Sequence, residues 1–200
     1  MNISSFTKIA AAALAATALS ACAMNDGMAD SSMQTEAEQT VMVGGAEMYP
    51  SRNIIENAVN SADHETLVAA VKAAGLVETL SGPGPFTVFA PTDAAFERLP
   101  AGTVDMLLKP ENKATLASIL TYHVVPGRVT ASELMKMIED GGGQAMLTTV
   151  NGAQLTATIE NGAVKLMDAN GGYAFVTQAD VMQSNGVIHV TNGVSLPKQG

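Results

Sequence analysis

The spacing of hydrophobic positions divides the chain into a helical half and a β half. Between residues 53 and 138, apolar side chains recur at the period of an amphipathic helix. From Ala145 onward they alternate along short segments, which is the period of a half-buried strand. Turn-forming pairs lie between these segments, at Asn151-Gly152, Asn161-Gly162 and Gly171-Gly172. The pattern predicts a single α+β domain in which helices pack around a β-meander.

Capping residues predict where several helices begin and end. Asn53 is expected to cap a first helix, and either Ser61 or Asp63 is expected to cap a second. Gly75 then supplies the residue at which the second helix ends. Farther along, the stretch from Thr130 to Glu133 has the spacing of a capping box at the start of another helix.

A strand is predicted to pass directly into a helical turn near the middle of the chain. The segment Phe86-Thr87-Val88-Phe89-Ala90 alternates as a half-buried strand, which Pro91 ends. Thr92 is placed to cap the following turn, and Asp93 lies where the helix dipole favours a negative charge. Phe96 is expected to point back into the core.

The first 21 residues have the pattern of a bacterial export signal. A positive charge at Lys8 precedes an apolar stretch that is too short to span a bilayer permanently. This stretch ends in Leu19-Ser20-Ala21-Cys22, the pattern of a lipobox, in which the cysteine is acylated and becomes the mature N-terminus. We therefore expect a lipoprotein signal peptide over residues 1–21 and lipidation at Cys22. The alternative is an ordinary secretory cleavage site followed by a chance cysteine.

Residues 22–48 are rich in small and polar side chains and in methionine, without a sustained apolar period. This composition predicts a flexible tether, followed by the folded domain over residues 49–198. Acyl chains on Cys22 would hold the protein to a membrane. The domain itself is then expected in water, facing the periplasm or the cell exterior.

Charge and residue spacing exclude several classes of function. The formal net charge of −9 repels phosphate backbones, so nucleic acid is not an expected partner. His64, His123 and His189 occur singly, without the spacing of a zinc motif, and no serine-nucleophile motif is present. We expect binding rather than catalysis, with no metal and no cofactor.

Three stretches, in their order and separation, resemble the fasciclin family closely. They are Phe86 to Phe96, Tyr122 to Gly127 and Asn185 to Val190. The resemblance covers about residues 49–198 and implies a β-wedge of two angled sheets with helices packed around it. It also implies an extracellular or membrane-tethered adhesion module without a cofactor. The motif positions that carry over as structural residues are Phe86, Pro91, Thr92, Asp93, Phe96, Gly186 and His189.

The resemblance also implies candidate contact residues. In animal members of the family, integrin binding has been attributed to a Tyr-His pair and to an Asp-Ile pair. The matching positions here are Tyr122, His123, Asp180 and Val181, with valine in place of isoleucine. A structural role is open for the same residues, because His123 ends an apolar helix and Asp180 can cap a turn.

Two hypotheses of function follow. The first is a lipid-anchored module that mediates cell adhesion or binds a protein or polysaccharide at the cell envelope. The second is an envelope protein that holds a small apolar ligand between the wedge and the helices, since Ala, Gly and Met side chains leave adaptable cavities. The sequence leaves the partner, the membrane leaflet and the oligomeric state open.

Overall fold

The computed structural model describes residues 39–198. The strands in this range are β1 (Val41–Val43), β2 (Ala46–Met48), β3 (Phe86–Pro91), β4 (Val124–Pro126), β5 (Gln144–Thr148), β6 (Gln154–Glu160), β7 (Ala163–Met167), β8 (Tyr173–Gln183) and β9 (Gly186–Thr191). The helices are α1 (Ile54–Ala58), α2 (Glu65–Ala74), α3 (Val77–Ser81), α4 (Asp93–Phe96), α5 (Thr103–Leu107), α6 (Lys113–Tyr122) and α7 (Ala131–Asp140). The α+β class predicted from the spacing is confirmed.

Seven strands pair in the order β4-β3-β9-β8-β7-β6-β5, and β1 pairs with β2 in a separate hairpin. The predicted meander forms β5 to β9, in which each strand lies antiparallel to the next. The last strand of the meander then lies parallel to β3, with Phe86 opposite Gly186 and Pro91 opposite Thr191. This parallel pair joins the two halves of the chain, and β3 is an internal strand because it also pairs with β4.

The long strand β8 bends the sheet into a wedge. Its first residues pair with β7 and its last residues with β9. Between these two stretches the register shifts twice, from Val176 to Gln178 and from Gln178 to Val181. Bulges of this kind bend a strand and increase its twist. A hydrogen bond of 2.7 Å from the Val150 amide to the Val124 carbonyl also brings the end of β5 toward β4.

The core consists of two clusters on either side of β3. One lies between the sheet and helices α1, α2 and α6, and it includes the buried side chains of Ile54, Leu67, Val71 and Leu120. The other lies inside the wedge beneath α7 and includes Phe89 and Tyr122. The amphipathic helices of the first half and the alternating strands of the second half therefore bury their apolar faces in a shared interior.

The domain begins earlier than predicted. Residues 41–48, assigned from sequence to the flexible tether, form the β1–β2 hairpin, and Val43 and Met48 are buried in the core. Short alternating segments around Gly44-Gly45 carry too few residues for a periodic signal, so the sequence pattern misses a hairpin whose stability comes from packing. The predicted signal peptide, Cys22 and residues 23–38 of the predicted tether lie outside the described residues.

The helix caps are partly as predicted. Asn53 and Thr130 form the expected capping boxes with Glu56 and Glu133. The prediction of Ser61 or Asp63 as the cap of α2 is wrong, because His64 holds that position without a capping side chain.

Asp93 was expected to stabilise the helical turn in which it lies. Its side chain instead caps the N-terminus of α2. Its carboxylate accepts hydrogen bonds from the amides of Glu65 and Thr66, at 3.2 and 2.8 Å. Its own amide donates to the Asp63 carbonyl at 2.8 Å. Thr92 caps α4 without a side-chain hydrogen bond. The strand-to-helix junction therefore ties β3 to the start of α2.

Within residues 39–198, no helix has the length and apolar character needed to cross a membrane.

Two adjacent glycines in the turn of the β1–β2 hairpin allow a test of how closely this hairpin packs against the domain. A Cβ atom on Gly44 would lie 2.3 Å from Ser61 Oγ and 2.8 Å from the Asp63 amide nitrogen, whereas one on Gly45 would meet nothing within 4 Å. Both residues have positive φ, of 55° and 75°. We expect Gly45→Ala to cost about 1 kcal/mol through backbone strain and Gly44→Ala about 2–3 kcal/mol through strain plus the clash. Urea unfolding of the two variants measures the difference; equal losses would contradict this account.

Candidate functional site

Three of the four candidate contact residues are buried. Tyr122, His123 and Val181 are 0, 3 and 1% exposed. A partner that meets the domain in this conformation does not touch their side chains. This burial argues against direct contact through these three side chains and favours the structural alternative, which stays a prediction. Asp180 is partly exposed.

Tyr122 and His123 hold α6 against the strands that follow it. The Tyr122 hydroxyl donates to the Gln154 carbonyl at 2.7 Å, and burial raises the pKa of this phenol. On His123, Nδ1 lies 2.8 Å from the Ile119 carbonyl, and Nε2 accepts the Ser195 amide at 3.0 Å. A neutral ring with its proton on Nδ1 satisfies both bonds. Burial lowers the pKa of His123, and the Ile119 carbonyl and Asp168 oppose this shift only in part.

Asp180 lies in the bulged part of β8 with an unusual backbone. Its φ is 58°, a left-handed conformation that only a few per cent of residues other than glycine adopt. Its Oδ1 accepts the Ala131 amide at 2.7 Å and so caps the first turn of α7. Its own amide donates to Nδ1 of His189 at 3.3 Å. Hydrogen bonds to α7 and to the buried His189 ring thus hold Asp180 from both sides.

The buried ring of His189 helps to hold Asp180 and the segment before α7 in place. Its Nε2 lies 2.8 Å from the Val129 carbonyl, and its ring stacks on Phe89 with a centroid distance of 5.5 Å. Burial lowers the pKa of His189, while the Val129 carbonyl and Asp180 oppose the shift. The ring is therefore a neutral donor to Val129 and acceptor from Asp180.

An open groove runs past Asp180 between β8 and the N-terminal hairpin. Its volume is about 590 Å³, and we call it the Asp180 groove. The lining residues are Gln39, Thr40, Val41, Met48, Pro50, Asp180 and Met182. Asp180 is the charged residue in this lining. The groove thus offers a carboxylate beside apolar and amide groups, a surface that suits a cationic or hydrogen-bond-donating group on a partner.

Asn185 is a structural residue that sequence reasoning missed. Its Oδ1 accepts the Ile54 amide at the start of α1, at 3.0 Å. Its Nδ2 donates to the carbonyls of Leu80 and Gly82, at 2.8 and 3.0 Å. The β8–β9 turn is thereby joined to α1 and α3. The only sequence signal for this role is the position of Asn185 directly before Gly186, because its partners lie more than 100 residues away in the chain.

The described residues hold no group of three or more His, Cys, Asp or Glu side chains placed to bind a metal ion.

Comparison with known proteins identifies what the chain is similar to. Residues 62–197 match the family model described as fasciclin domain. The protein sll1483 of Synechocystis sp. is 46% identical over 191 residues, which cover 95% of this chain and 98% of that protein. The cell surface glycolipoprotein MPB83 of Mycobacterium bovis is 51% identical over 81 residues, which cover 40% of this chain and 31% of that protein.

A solved structure shares the fold. A domain pair from the insect cell adhesion molecule Fasciclin I matches with a TM-score of 0.65 at 20% identity, over 73% of this chain and 51% of that chain. At this level of identity the match shows the architecture alone. The β-wedge with packed helices expected from the sequence motifs is confirmed.

Proposed function

Because this chain belongs to the fasciclin family, we propose that it is a lipid-anchored module that binds a protein or polysaccharide outside the cytoplasm. The anchor is Cys22, and the domain works by binding rather than by catalysis. Support for this location comes from the export signal in the sequence and from a relative named as a cell surface glycolipoprotein.

The observation that carries the contact site is the position of Asp180. It is the one residue of the four candidates whose side chain is partly exposed, and it lies in the Asp180 groove. Tyr122, His123 and Val181 act indirectly, because their packing holds the strands and α6 that position the bulge of β8. The acidic surface of the chain, with a net charge of −9, adds a long-range attraction for cationic partners.

A charge-neutral variant tests the groove. Asp180→Asn keeps the oxygen that accepts the Ala131 amide and removes the negative charge. We expect envelope or matrix ligands to bind the variant about fivefold more weakly than the wild type at low salt, with the difference reduced at high salt. The measurement is capture of ligands by the mature chain carrying Cys22→Ser, followed by affinity determination for the ligand identified.

Asp140→Asn is the matched control. Asp140 is exposed at the end of α7, so the same charge is removed from another surface. Equal losses in the two variants would indicate a general charge effect and move the site away from the groove. The anchor is tested separately by mass spectrometry of the native protein, where an unacylated N-terminus would contradict the proposed lipidation.

A further inference from the structure

Glycine follows asparagine at five positions of the chain, which are Asn151, Asn161, Asn170, Asn185 and Asn192. In such a pair the backbone nitrogen of the glycine can attack Cγ of the asparagine, because glycine has no Cβ atom to obstruct the approach. The reaction requires an asparagine side chain that is free to turn toward this nitrogen. The hydrogen bonds of the five side chains therefore decide which pair can react in the folded protein.

Two of these side chains are held by groups near the turns in which they lie. Oδ1 of Asn151 accepts the Thr149 hydroxyl at 2.7 Å and the Ala153 amide at 2.9 Å. Nδ2 of Asn170 donates to the Leu196 carbonyl at 3.0 Å. The backbone amides of the glycines that follow them are bonded as well, at 2.9 and 3.2 Å. Both reacting groups of each pair must therefore leave a hydrogen bond before they can meet.

Two further side chains join parts of the fold that are distant in sequence. Oδ1 of Asn192 accepts the Phe175 amide at 2.9 Å. Asn185 makes the three hydrogen bonds to α1 and to the carbonyls of residues 80 and 82 that are described above. Rotation of either side chain would break a contact that holds the domain together.

Asn161 differs from these four residues. It is exposed at the tip of the hairpin between β6 and β7, and its side chain has no hydrogen-bond partner among residues 39–198. The backbone amide of Gly162 has none in this range either. A Cβ atom on Gly162 would meet nothing within 4 Å, so the tip of the hairpin is open on the side of this residue. Exposed tips of this kind open locally at a low cost in free energy. Both reacting groups of this pair are therefore accessible.

We propose that Asn161 is a site of spontaneous deamidation, at which the folded protein acquires an aspartate or an isoaspartate. The Gly162 nitrogen loses its proton to hydroxide and forms a bond to Asn161 Cγ. The bond between Cγ and Nδ2 breaks, and Nδ2 takes up a proton and leaves as ammonia. Water then opens the resulting succinimide. Attack of water on the side-chain carbonyl gives aspartate, and attack on the backbone carbonyl gives isoaspartate.

Either product changes the hairpin tip. The new carboxylate follows Glu160, whose own carboxylate pairs with Lys165 at 2.7 Å. Isoaspartate also adds a methylene group to the backbone of the two-residue turn that joins the paired residues Glu160 and Ala163. No residue of this hairpin lines the Asp180 groove, so the inference does not rest on the proposed binding function.

Incubation at pH 8.5, followed by peptide mapping with mass spectrometry, tests the proposal on the chain from residue 22 carrying Cys22→Ser. One hydrogen bond that must break first slows the reaction by roughly threefold to tenfold, so Asn161 should react at least about threefold faster than each of the other four asparagines. In urea all five should react at similar rates, because glycine follows each of them. Equal rates at the five sites of the folded protein would overturn the proposal, as would an Asn161 that stays intact while the unfolded chain reacts.

Two matched variants test the attacking nitrogen. Gly162→Ala places a methyl group beside this nitrogen and should slow the reaction of Asn161 severalfold. Gly152→Ala should leave the rate at Asn161 unchanged; this glycine also follows an asparagine, and the φ angles of the two glycines are 86° and 80°, with open space around both. Circular dichroism shows whether the variants are folded, and if Gly162→Ala is not, the wild-type rates still decide. An unchanged rate in folded Gly162→Ala, or aspartate without isoaspartate as the product, would contradict attack by the Gly162 nitrogen.

Discussion

Gly186→Ala is expected to destabilise the domain by about 4 kcal/mol or to prevent folding. A Cβ atom at this position would lie 2.1 Å from the Phe86 carbonyl oxygen and 3.0 Å from its carbon. Phe86 cannot move away, because β3 is paired with β4 on one side and β9 on the other. The clash therefore falls on the parallel strand pair that joins the two halves of the chain. Urea unfolding followed by circular dichroism measures the loss.

Gly152→Ala is the control for this substitution. Gly152 has a φ of 86°, and a Cβ atom there would meet nothing within 4 Å. The change should therefore cost about 1 kcal/mol through backbone strain alone. Similar losses for the two variants would show that the close approach of β3 and β9 is not the reason for a glycine at position 186.

Stability is expected to fall steeply as the pH drops below about 6.5, the ordinary pKa of histidine. Burial lowers the pKa values of His64, His123 and His189 in the folded protein. The unfolded chain then takes up protons at a higher pH than the native state does. Stability is therefore full above the unfolded pKa and is lost as the pH falls toward the lowered native values. Each histidine contributes at most about 1.4 kcal/mol per pH unit, so the three together contribute at most about 4 kcal/mol per unit.

Hydrogen bonding gives two of these rings a further reason to stay neutral. His123 and His189 each accept a backbone amide with one ring nitrogen, and protonation would place two donors face to face. Nearby carboxylates oppose the shifts in part: Asp63 and Asp93 near His64, Asp168 near His123, and Asp180 near His189.

Urea unfolding at pH 7.5, 6.5 and 5.5 measures this dependence. His123→Gln is the informative variant, because an amide can both donate and accept but does not titrate. Its slope should be about two thirds of the wild-type slope. A free energy of unfolding that stays constant from pH 7.5 to 5.5 would contradict the prediction.

Local sequence patterns predicted the features that depend on neighbouring residues. The capping boxes at Asn53 and Thr130 form because the two partners are three residues apart. The turn at Asn161-Gly162 forms because both residues adopt positive φ, of 53° and 80°. The meander follows from these turns and from the alternation of the strands between them.

Features that depend on distant residues escaped the same patterns. Asp93 caps a helix that begins 28 residues earlier in the chain, and Asn185 bonds to α1 across 131 residues. No period or short spacing encodes such pairs. The family motifs include both residues. The hydrogen bonds that explain an aspartate and an asparagine at these positions form only when β3, β9, α1 and α2 are packed together.

The candidate site shows the same division. The resemblance to the fasciclin motifs identified the Tyr-His pair and the Asp-Val pair, and the spacing of hydrophobic residues predicted the apolar faces around them. Which polar groups become buried depends on the elements that cover them. Packing buried Tyr122, His123 and Val181, left Asp180 in a groove, and placed His64 against an apolar cavity. The sequence alone therefore determined the α+β class, the turns and the local caps, whereas tertiary packing decided which side chains stay exposed at the surface, because exposure depends on neighbours that are far apart in the chain.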